Sequence, residues 1–283
     1  MRSIFVHLSP NDFSFSNEFE KNNYVFDKLP PYANISFNNC EKYLEETPLL
    51  ITSKDVFSKF QPEIIEFWKL CKENFPSYYR DSFWFLTLLR LHILRLICEK
   101  YNIEQFIHME YDNLIYSDSK IFDRLSDGCY FTQVGPGIGS SGFSYFNNLN
   151  KLIEFDNALL DLIKAGENNV KKLTSENHIS EMIMIDILKN QSKCEYLPLF
   201  STDKYFDQLQ HVFDGASYGQ YIGGTNNGHP PGWYGRHHYV GNKIHVGELK
   251  IEFNEIPCII ENDKKYLIYN LHIHSKKLDL YDR

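Results

Sequence analysis

The sequence predicts an α/β protein with a mostly parallel central sheet, flanking helices and a loop-rich C-terminal part. Short apolar runs alternate with helical patterns from Ser3 to Asn190, and this alternation is typical of helices packed on a parallel sheet. No repeat or low-complexity linker divides the 283 residues, so we expect a single domain over 1–283. After Lys193 the alternation gives way to a segment dense in Gly, His, Tyr and Asn.

The predicted strands are short apolar runs, and the predicted helices are longer segments with helical spacing. The strands are Ser3–Leu8, Pro48–Thr52, Phe106–Glu110, Leu114–Tyr116, Cys129–Val134, Gly142–Phe146, Lys250–Phe253 and Lys265–His274. The helices are Pro62–Glu73, Ser82–Tyr101, Lys120–Leu125, Lys151–Ala165 and Ser180–Asn190. Ligands of open α/β sheets bind beyond the carboxyl ends of the strands. Residues that follow a strand are therefore the candidate functional residues.

Composition and charge argue against several classes of protein. Hydrophobic residues make up 43% and charged residues 23%, which are globular values. A formal net charge of −8 argues against a nucleic-acid binder. The most apolar stretch is interrupted by three basic residues, so no transmembrane segment is expected, while peripheral membrane association stays open. The short N-terminal apolar run and the scattered cysteines predict a cytoplasmic protein with reduced thiols.

Arg90 lies in the middle of a predicted helix that is apolar nearly all round. It shares one stripe of that helix with Thr87 and Leu94, so we expect it to be buried. A buried guanidinium needs an anionic partner. The partner is either a carboxylate in a structural salt bridge or the phosphate of a bound ligand.

Two acids, Glu110 and Asp112, directly follow the predicted strand Phe106–Glu110. Across one extended residue their side chains point the same way, so they can converge on one cation. Oxygen ligands of this kind suit Mg²⁺ or Mn²⁺, which bind through one or two carboxylates together with substrate phosphates. The alternative is a solvated turn that carries two unrelated acids.

His272 and His274 alternate on the last predicted strand, so both could face one metal. Lys276 and Lys277 follow at once, and cations beside a metal ligand suit a diphosphate whose negative charge they stabilise. Two alternatives remain: a metal-dependent hydrolase built on the His-x-His pair, and a purely structural role for the histidines.

The segment from Phe213 to His229 combines glycines with residues that can hold sugar hydroxyls. Asp214, Gln220 and Tyr221 offer hydrogen bonds and stacking, while the glycines allow close approach of the backbone. The segment lacks the ending of a phosphate-binding P-loop. Long loops in compact domains are usually functional, so we expect a ligand with sugar hydroxyls to bind here. Trp233 is either an aromatic platform for a sugar ring or part of an exposed turn. The alternative is a long loop of tight turns without a ligand.

The order of these motifs resembles that of nucleotide-sugar glycosyltransferases of the GT-A fold. The pair Glu110 and Asp112 resembles their DXD motif, with Glu in place of the first Asp. The segment 139–146 resembles the apolar strand that lines the acceptor side, and Ser180-Glu181-Met182 resembles the place of an acidic residue near the reacting centre. The run 271–277 resembles the C-terminal His-then-Lys element that closes on metal and diphosphate.

The resemblance implies a GT-A-like, Rossmann-like sheet and a role for each candidate residue. Residues 1–134 would mainly serve the donor, and residues 135–283 the acceptor and the C-terminal metal and diphosphate element. The metal, Mn²⁺ or Mg²⁺, would be held by Asp112, Glu110, His274 and His272. Donor phosphates would contact Arg90, Glu110, Ser275 and Lys276. The acceptor would contact Ser141, Gly142, Gln220, Tyr221 and Trp233.

The implied function is transfer of a sugar from a nucleotide-diphosphate donor to a hydroxyl acceptor such as a glycan, a glycolipid or a polysaccharide precursor. The proton of the acceptor hydroxyl needs a base, and Glu181 and Asp214 are the candidates. Retention or inversion at the sugar stays open. The alternatives are the metal-dependent hydrolase that uses His272 and His274, and a non-catalytic carbohydrate-binding protein.

Overall fold

The computed structural model describes residues 1–8, 29–75, 83–176, 179–226, 228–235 and 238–282. In these residues the strands are β1 (Arg2–His7), β2 (Leu49–Thr52), β3 (Phe106–Met109), β4 (Asn113–Ile115), β5 (Cys129–Gly135), β6 (Ile138–Phe146), β7 (Glu195–Tyr196), β8 (His211–Val212), β9 (Lys250–Phe253), β10 (Pro257–Glu261), β11 (Lys264–Ile268) and β12 (Asn270–His272). The α-helices are α1 (Ala33–Leu44), α2 (Ser53–Asn74), α3 (Phe83–Tyr101), α4 (Leu149–Ala165), α5 (Glu167–Val170), α6 (Glu181–Asn190), α7 (Phe206–Leu209), α8 (Ser217–Gly223) and α9 (Tyr239–His245).

A six-stranded sheet in the order β2-β1-β3-β6-β5-β7 forms the centre of the molecule. The pairs β1–β2, β1–β3 and β5–β7 are parallel, whereas β3–β6 and β5–β6 are antiparallel. Parallel pairing through β1 places the carboxyl ends of β2, β1 and β3 at one edge. The predicted fold class, a mostly parallel sheet flanked by helices, is confirmed.

Helices cover both faces of the central sheet. The face that carries Ile4, Phe106 and Phe131 packs against α2, α3, α4 and α6. The opposite face, which carries Phe5 and Ile107, packs against α1. Side chains alternate between the two faces along each strand, so the apolar runs of β1 and β3 are buried on both sides.

Side chains cap the starts of helices α2 and α6. Thr52 caps α2 in a capping box with Asp55, so α2 begins nine residues before the predicted Pro62. Ser180 caps α6, and its hydroxyl accepts the Ile183 N–H at 3.4 Å. The predicted start of α3, Ser82, lies outside the described residues. None of the described helices combines the length and apolar content that a membrane span requires.

The C-terminal part contains two smaller sheets. One is four-stranded, in the order β8-β11-β10-β9, and the other pairs β12 with β4. The prediction of a single strand over Lys265–His274 is therefore wrong. The chain changes sheets at Tyr269, because the strand before it pairs with β10 and the strand after it pairs with β4. His272 ends β12, and His274 lies beyond the strand.

Three further differences from the predicted elements concern a strand boundary, a helix type and a loop. Strand β6 begins at Ile138, so Ser141 lies inside the strand rather than before it. Residues Ser119–Arg124 form a 3₁₀ helix instead of an α-helix. Part of the predicted loop between Phe213 and His229 is the short helix α8. The elements α1, α5, α7, α9, β7, β8 and β10 had no predicted counterpart. All six cysteines are buried and free, as expected of reduced thiols.

Candidate active site

A cavity of about 530 Å³ opens where the carboxyl ends of β1 and β3 meet β12 and the start of α8. Most of the predicted site residues line it: Arg90, Glu110, Asp112, Ser141, Gly142, Glu181, Gln220, His272, His274 and Lys276. Asp214, Tyr221, Trp233 and Ser275 are not among its lining residues. The cavity lies at the position where ligands of α/β sheets bind.

The acids are positioned by the end of β3 and the tight turn that follows. The Glu110 N–H donates to the Gly142 carbonyl at 2.8 Å, which extends the pairing of β3 with β6 by one residue. The Asn113 N–H then donates to the Glu110 carbonyl at 3.1 Å and closes the turn. Asp112 is 2% exposed, whereas Glu110 is partly accessible from the cavity.

His272 reaches the acids because β12 pairs with β4 immediately after this turn. His272 lies opposite Asn113 in the register of these strands. Its Nε2 atom is 3.1 Å from Oδ2 of Asp112 and 3.5 Å from Oε2 of Glu110. The ligand atoms of the three side chains lie within 4.8 Å of one another.

The Glu110–Asp112–His272 cluster fits Mn²⁺ or Mg²⁺. Two carboxylate oxygens and one imidazole nitrogen are donors that these ions accept. His274 also lines the cavity, but its ring centre is 6.2 Å from that of His272 and it lies outside the cluster. The Nδ1 atom of His274 instead accepts the Asn226 N–H at 3.4 Å.

Each acid of the cluster also has a cationic partner. The Arg90 guanidinium contacts Oε1 of Glu110, and the Lys276 ammonium contacts Oδ2 of Asp112. Burial alone would raise the pKa of Glu110, but Arg90, with His272 and Lys276 nearby, holds that pKa below its usual value. Burial lowers the pKa of Lys276, and the nearby Glu110 carboxylate opposes this shift.

A third carboxylate, Glu181, faces the cavity from the first turn of α6. It is 7% exposed, and its Oε2 accepts a hydrogen bond from the Thr87 hydroxyl at 3.3 Å. Burial raises the pKa of Glu181 to about 7, with the Glu110 charge adding to the rise and Arg90 opposing it. A carboxylate with this pKa can exchange protons near neutral pH.

Asp214, the second candidate base, has a structural environment. Its carboxylate is completely buried and accepts the N–H groups of Ala216, Tyr218, Gly219 and His272 at 2.8 to 2.9 Å. The bond to Ala216 closes an Asx turn ahead of α8. The Asn270 side chain holds the backbone of the same residue, because it accepts the Asp214 N–H and donates to the Asp214 carbonyl.

The other residues that do not line the cavity have neighbours of their own. The Trp233 ring stacks on His229 with ring centres 4.0 Å apart and meets His238 edge-on. The Tyr221 ring lies 6.5 Å from that of His238. The Ser275 hydroxyl is buried and has no hydrogen-bond partner among the described residues. Their assignment to the acceptor and the donor stays a prediction.

Sequence reasoning missed a group of aromatic residues beside β1. Tyr32 and Tyr111 line the cavity with ring centres 5.9 Å apart. His7 Nδ1 lies 2.9 Å from the Tyr111 hydroxyl. The one available signal was Tyr111 itself, which stands between the two acids and at the end of an apolar strand.

Two glycines permit the close approach of His272. A Cβ at Gly142 would lie 2.8 Å from Cε1 and Nδ1 of the His272 ring. A Cβ at Gly219 would lie 2.0 Å from the His272 carbonyl oxygen. Real Cβ atoms do not approach other atoms so closely, so strand β6 and helix α8 can contact β12 here only through glycine.

No protein family and no curated protein sequence matches the chain. Among solved structures, the chain is similar to mouse xyloside xylosyltransferase 1 in its apo form. The TM-score is 0.44 at 10% identity, over 74% of this chain and 92% of that chain. The chain is also similar to a glycosyltransferase involved in the glycosylation of the major capsid of PBCV-1. Here the TM-score is 0.39 at 9% identity, over 75% of this chain and 89% of that chain. Both similarities are low, so the function is inferred from the site itself.

Proposed function

We propose that the chain is a GT-A-type glycosyltransferase that moves a sugar from a nucleotide-diphosphate donor to a hydroxyl acceptor. The observation that carries this proposal is the convergence of three groups on one cavity. These are the Glu110–Asp112–His272 cluster, the cations Arg90 and Lys276, and a buried carboxylate with a pKa of about 7. A metal site, a phosphate site and a base are the parts that such a transfer needs.

The donor would lie with its diphosphate across the cluster and its nucleoside toward β1. Mn²⁺ or Mg²⁺ held by Glu110, Asp112 and His272 would supply positive charge to the diphosphate oxygens. The aromatic side chains of Tyr32 and Tyr111 offer a surface for the nucleobase. Residues 1–134 therefore provide most of the donor side.

The acceptor would lie toward β6 and α8, on surface that residues 135–283 provide. Ser141 and Gln220 present hydrogen-bonding groups to the cavity for acceptor hydroxyls. Gly142 leaves room beside them. Tyr221 and Trp233 would contact only the distal part of a larger acceptor, because neither lines the cavity itself.

The transfer itself needs one proton acceptor and a stabilised leaving group. The Glu181 carboxylate takes the proton of the acceptor hydroxyl while that oxygen forms a bond to the anomeric carbon of the sugar. The bond from the anomeric carbon to the phosphate oxygen breaks, and its electron pair leaves with the nucleoside diphosphate. The guanidinium of Arg90 and the ammonium of Lys276 stabilise that developing charge.

Two alternative functions have less support from the geometry. A hydrolase built on the His-x-His pair needs both histidines on the metal, but only His272 belongs to the cluster. A non-catalytic carbohydrate-binding protein has no need of a buried carboxylate with a pKa raised to about 7. A screen of nucleotide sugars for acceptor-dependent release of nucleoside diphosphate separates the transferase from both alternatives.

Asp112→Asn should abolish Mn²⁺-dependent binding of the nucleoside diphosphate found in that screen. The amide removes one negative charge from the cluster, and without a metal the remaining carboxylate repels the diphosphate. Isothermal titration with Mn²⁺ and with EDTA measures the effect. Asp123→Asn is the control, since that side chain is exposed in the nearby 3₁₀ helix. Equal affinity in Mn²⁺ and in EDTA for the unmodified protein would rule out the metal site.

A further inference from the structure

Lys276 and Arg90 contact the acids of the cluster in different ways. Arg90 contacts Oε1 of Glu110, while Oε2 of the same carboxylate faces His272 Nε2 at 3.5 Å. Lys276 contacts Oδ2 of Asp112, which is the oxygen that faces His272 Nε2 at 3.1 Å. The guanidinium therefore leaves free the Glu110 oxygen that faces His272, whereas the ammonium lies on the Asp112 oxygen that faces His272.

The backbone directs Lys276 to this position. Lys276 follows β12 in a turn closed by its N–H, which donates to the Ile273 carbonyl at 2.9 Å. Its φ angle is 64°, in the left-handed region that residues other than glycine rarely adopt. Such conformations are retained where surrounding structure enforces them, and they cluster at functional sites.

The side chain of Lys276 also has room to leave Asp112. It lines the cavity and is 28% exposed, in contrast to the 3% exposure of the Asp112 side chain. A buried carboxylate requires a cationic or hydrogen-bonding partner at all times. The ammonium can provide that partner, and so can a divalent cation, but two positive charges on one oxygen repel each other strongly.

We propose that Lys276 is an internal competitor of the metal, whose ammonium and a divalent cation occupy Oδ2 of Asp112 in turn. This inference rests on the proposed function, because the diphosphate of the donor is what draws the lysine away from Asp112. The metal alone binds weakly, and metal and donor bind cooperatively. Lys276 thereby couples occupation of the metal site to arrival of the donor.

Binding of Mn²⁺ alone, followed by electron paramagnetic resonance of the free ion, tests the proposal without nucleotide or acceptor. Lys276→Met should bind Mn²⁺ at least tenfold more tightly than the unmodified protein, because the competing charge is gone. Lys276→Arg keeps the charge and should stay within about threefold of the unmodified protein. Lys264→Met is the control, since Lys264 is exposed at the start of β11 and does not line the cavity, and it should leave the affinity unchanged.

Unchanged or weaker Mn²⁺ binding by Lys276→Met overturns the proposal. So does the absence of measurable binding in every variant, which removes the metal site as well. If Lys276→Met does not fold, Lys276→Gln replaces it, with a melting curve in each case. The readout is metal binding alone, so it stays decisive if no transferase activity is found. If no donor is found in the screen but Lys276→Met still binds Mn²⁺ more tightly, the proposed transferase function is refuted. The competition between Lys276 and the metal is then still supported.

Discussion

Among the residues that the structure describes, Glu181 differs from the other acids of the cavity in having no cation in direct contact. Its hydrogen bond comes from the neutral hydroxyl of Thr87, and burial is the largest cause of its raised pKa. Glu110 has the opposite environment, because Arg90 contacts it and keeps its pKa low. Two carboxylates in one cavity thereby have different pKa values, so Glu181 can take up a proton near neutral pH while Glu110 keeps the charge that binds a cation.

Glu181→Gln should lower kcat by about a hundredfold or more, the usual effect of a lost general base. Donor affinity should hardly change, since the amide keeps the shape of the side chain. The control is Glu176→Gln, an exposed position before the same helix. Steady-state kinetics and donor titration measure the two effects. A Glu181→Gln variant with normal kcat would show that Glu181 is not the base.

The same residue sets an expected pH dependence of the unmodified enzyme. The base must be ionised, so kcat should fall as pH decreases through about 7, the pKa of Glu181. The hydrogen bond from Thr87 lowers that pKa, so Thr87→Val should move the fall to higher pH. If the pH–rate profiles of both proteins had the same midpoint, the fall in kcat would come from a group other than Glu181.

Arg90→Lys should weaken binding of the nucleoside diphosphate about tenfold, the equivalent of one charge-assisted hydrogen bond of about 1.5 kcal/mol. Lysine keeps the charge but lacks the planar fork that contacts a carboxylate and a phosphate together. Arg95→Lys is the control, because Arg95 pairs with Glu99 on the same helix, α3. Titration calorimetry of both folded variants gives the answer, and unchanged affinity would make Arg90 a structural partner of Glu110.

At the scale of elements, Asp214 connects α8 to β12. The helix has only seven residues, and two of its N–H groups, with those of the preceding Ala216 and of His272, converge on one carboxylate. The orphan donors at a helix start need such an acceptor. The position of His272 in the Glu110–Asp112–His272 cluster therefore depends on a residue that does not line the cavity.

Asp214→Asn should lower the free energy of unfolding by about 2 to 6 kcal/mol. The amide keeps one acceptor oxygen, so two buried N–H groups lose their partner, and each costs about 1 to 3 kcal/mol. Urea denaturation measures the loss, with Asp207→Asn on the exposed surface of α7 as the control. A loss in the Asp214 variant no larger than in the control would show that the carboxylate is dispensable for folding.

The elements that the sequence predicts well are those whose signal is local. The strand that ends at the acids and the helix that carries Arg90 were identified from apolar runs and spacing alone. The change of sheets at Tyr269 was not identified. The strand-like alternation of side chains continues across Tyr269, and only the distant partner strands, β10 and β4, differ. The contact of Thr87 with Glu181 joins residues 94 positions apart, which no local pattern encodes.

At the scale of the whole molecule, the site exists where the central sheet meets the β4–β12 pair. Gly142 of β6 faces the His272 ring across this junction, and the Asn113 side chain donates to the Gly142 carbonyl at 3.0 Å. Asn270 of β12 in turn donates to Asn113 at 3.0 Å. This buried network fixes the distance between the sheets, so the geometry of the Glu110–Asp112–His272 cluster is a property of the complete fold.

Gly142→Ala should leave the protein folded and reduce Mn²⁺-dependent binding of the nucleoside diphosphate at least tenfold. The new methyl group would lie 2.8 Å from the His272 ring, which is a side chain and can rotate away, whereas the backbone of β6 keeps its pairing with β3. Rotation removes the imidazole from Glu110 and Asp112, and the cluster loses its nitrogen ligand.

Gly135→Ala on the neighbouring strand β5 is the matched control for that variant. Its Cβ would meet Tyr239 at an ordinary distance of 3.5 Å, so both binding and stability should stay close to those of the unmodified protein. Titration calorimetry with Mn²⁺ measures the binding, and circular dichroism melting verifies the fold. Full Mn²⁺-dependent binding by a folded Gly142→Ala protein would mean that His272 is no metal ligand, and that the junction of the two sheets positions the acids alone.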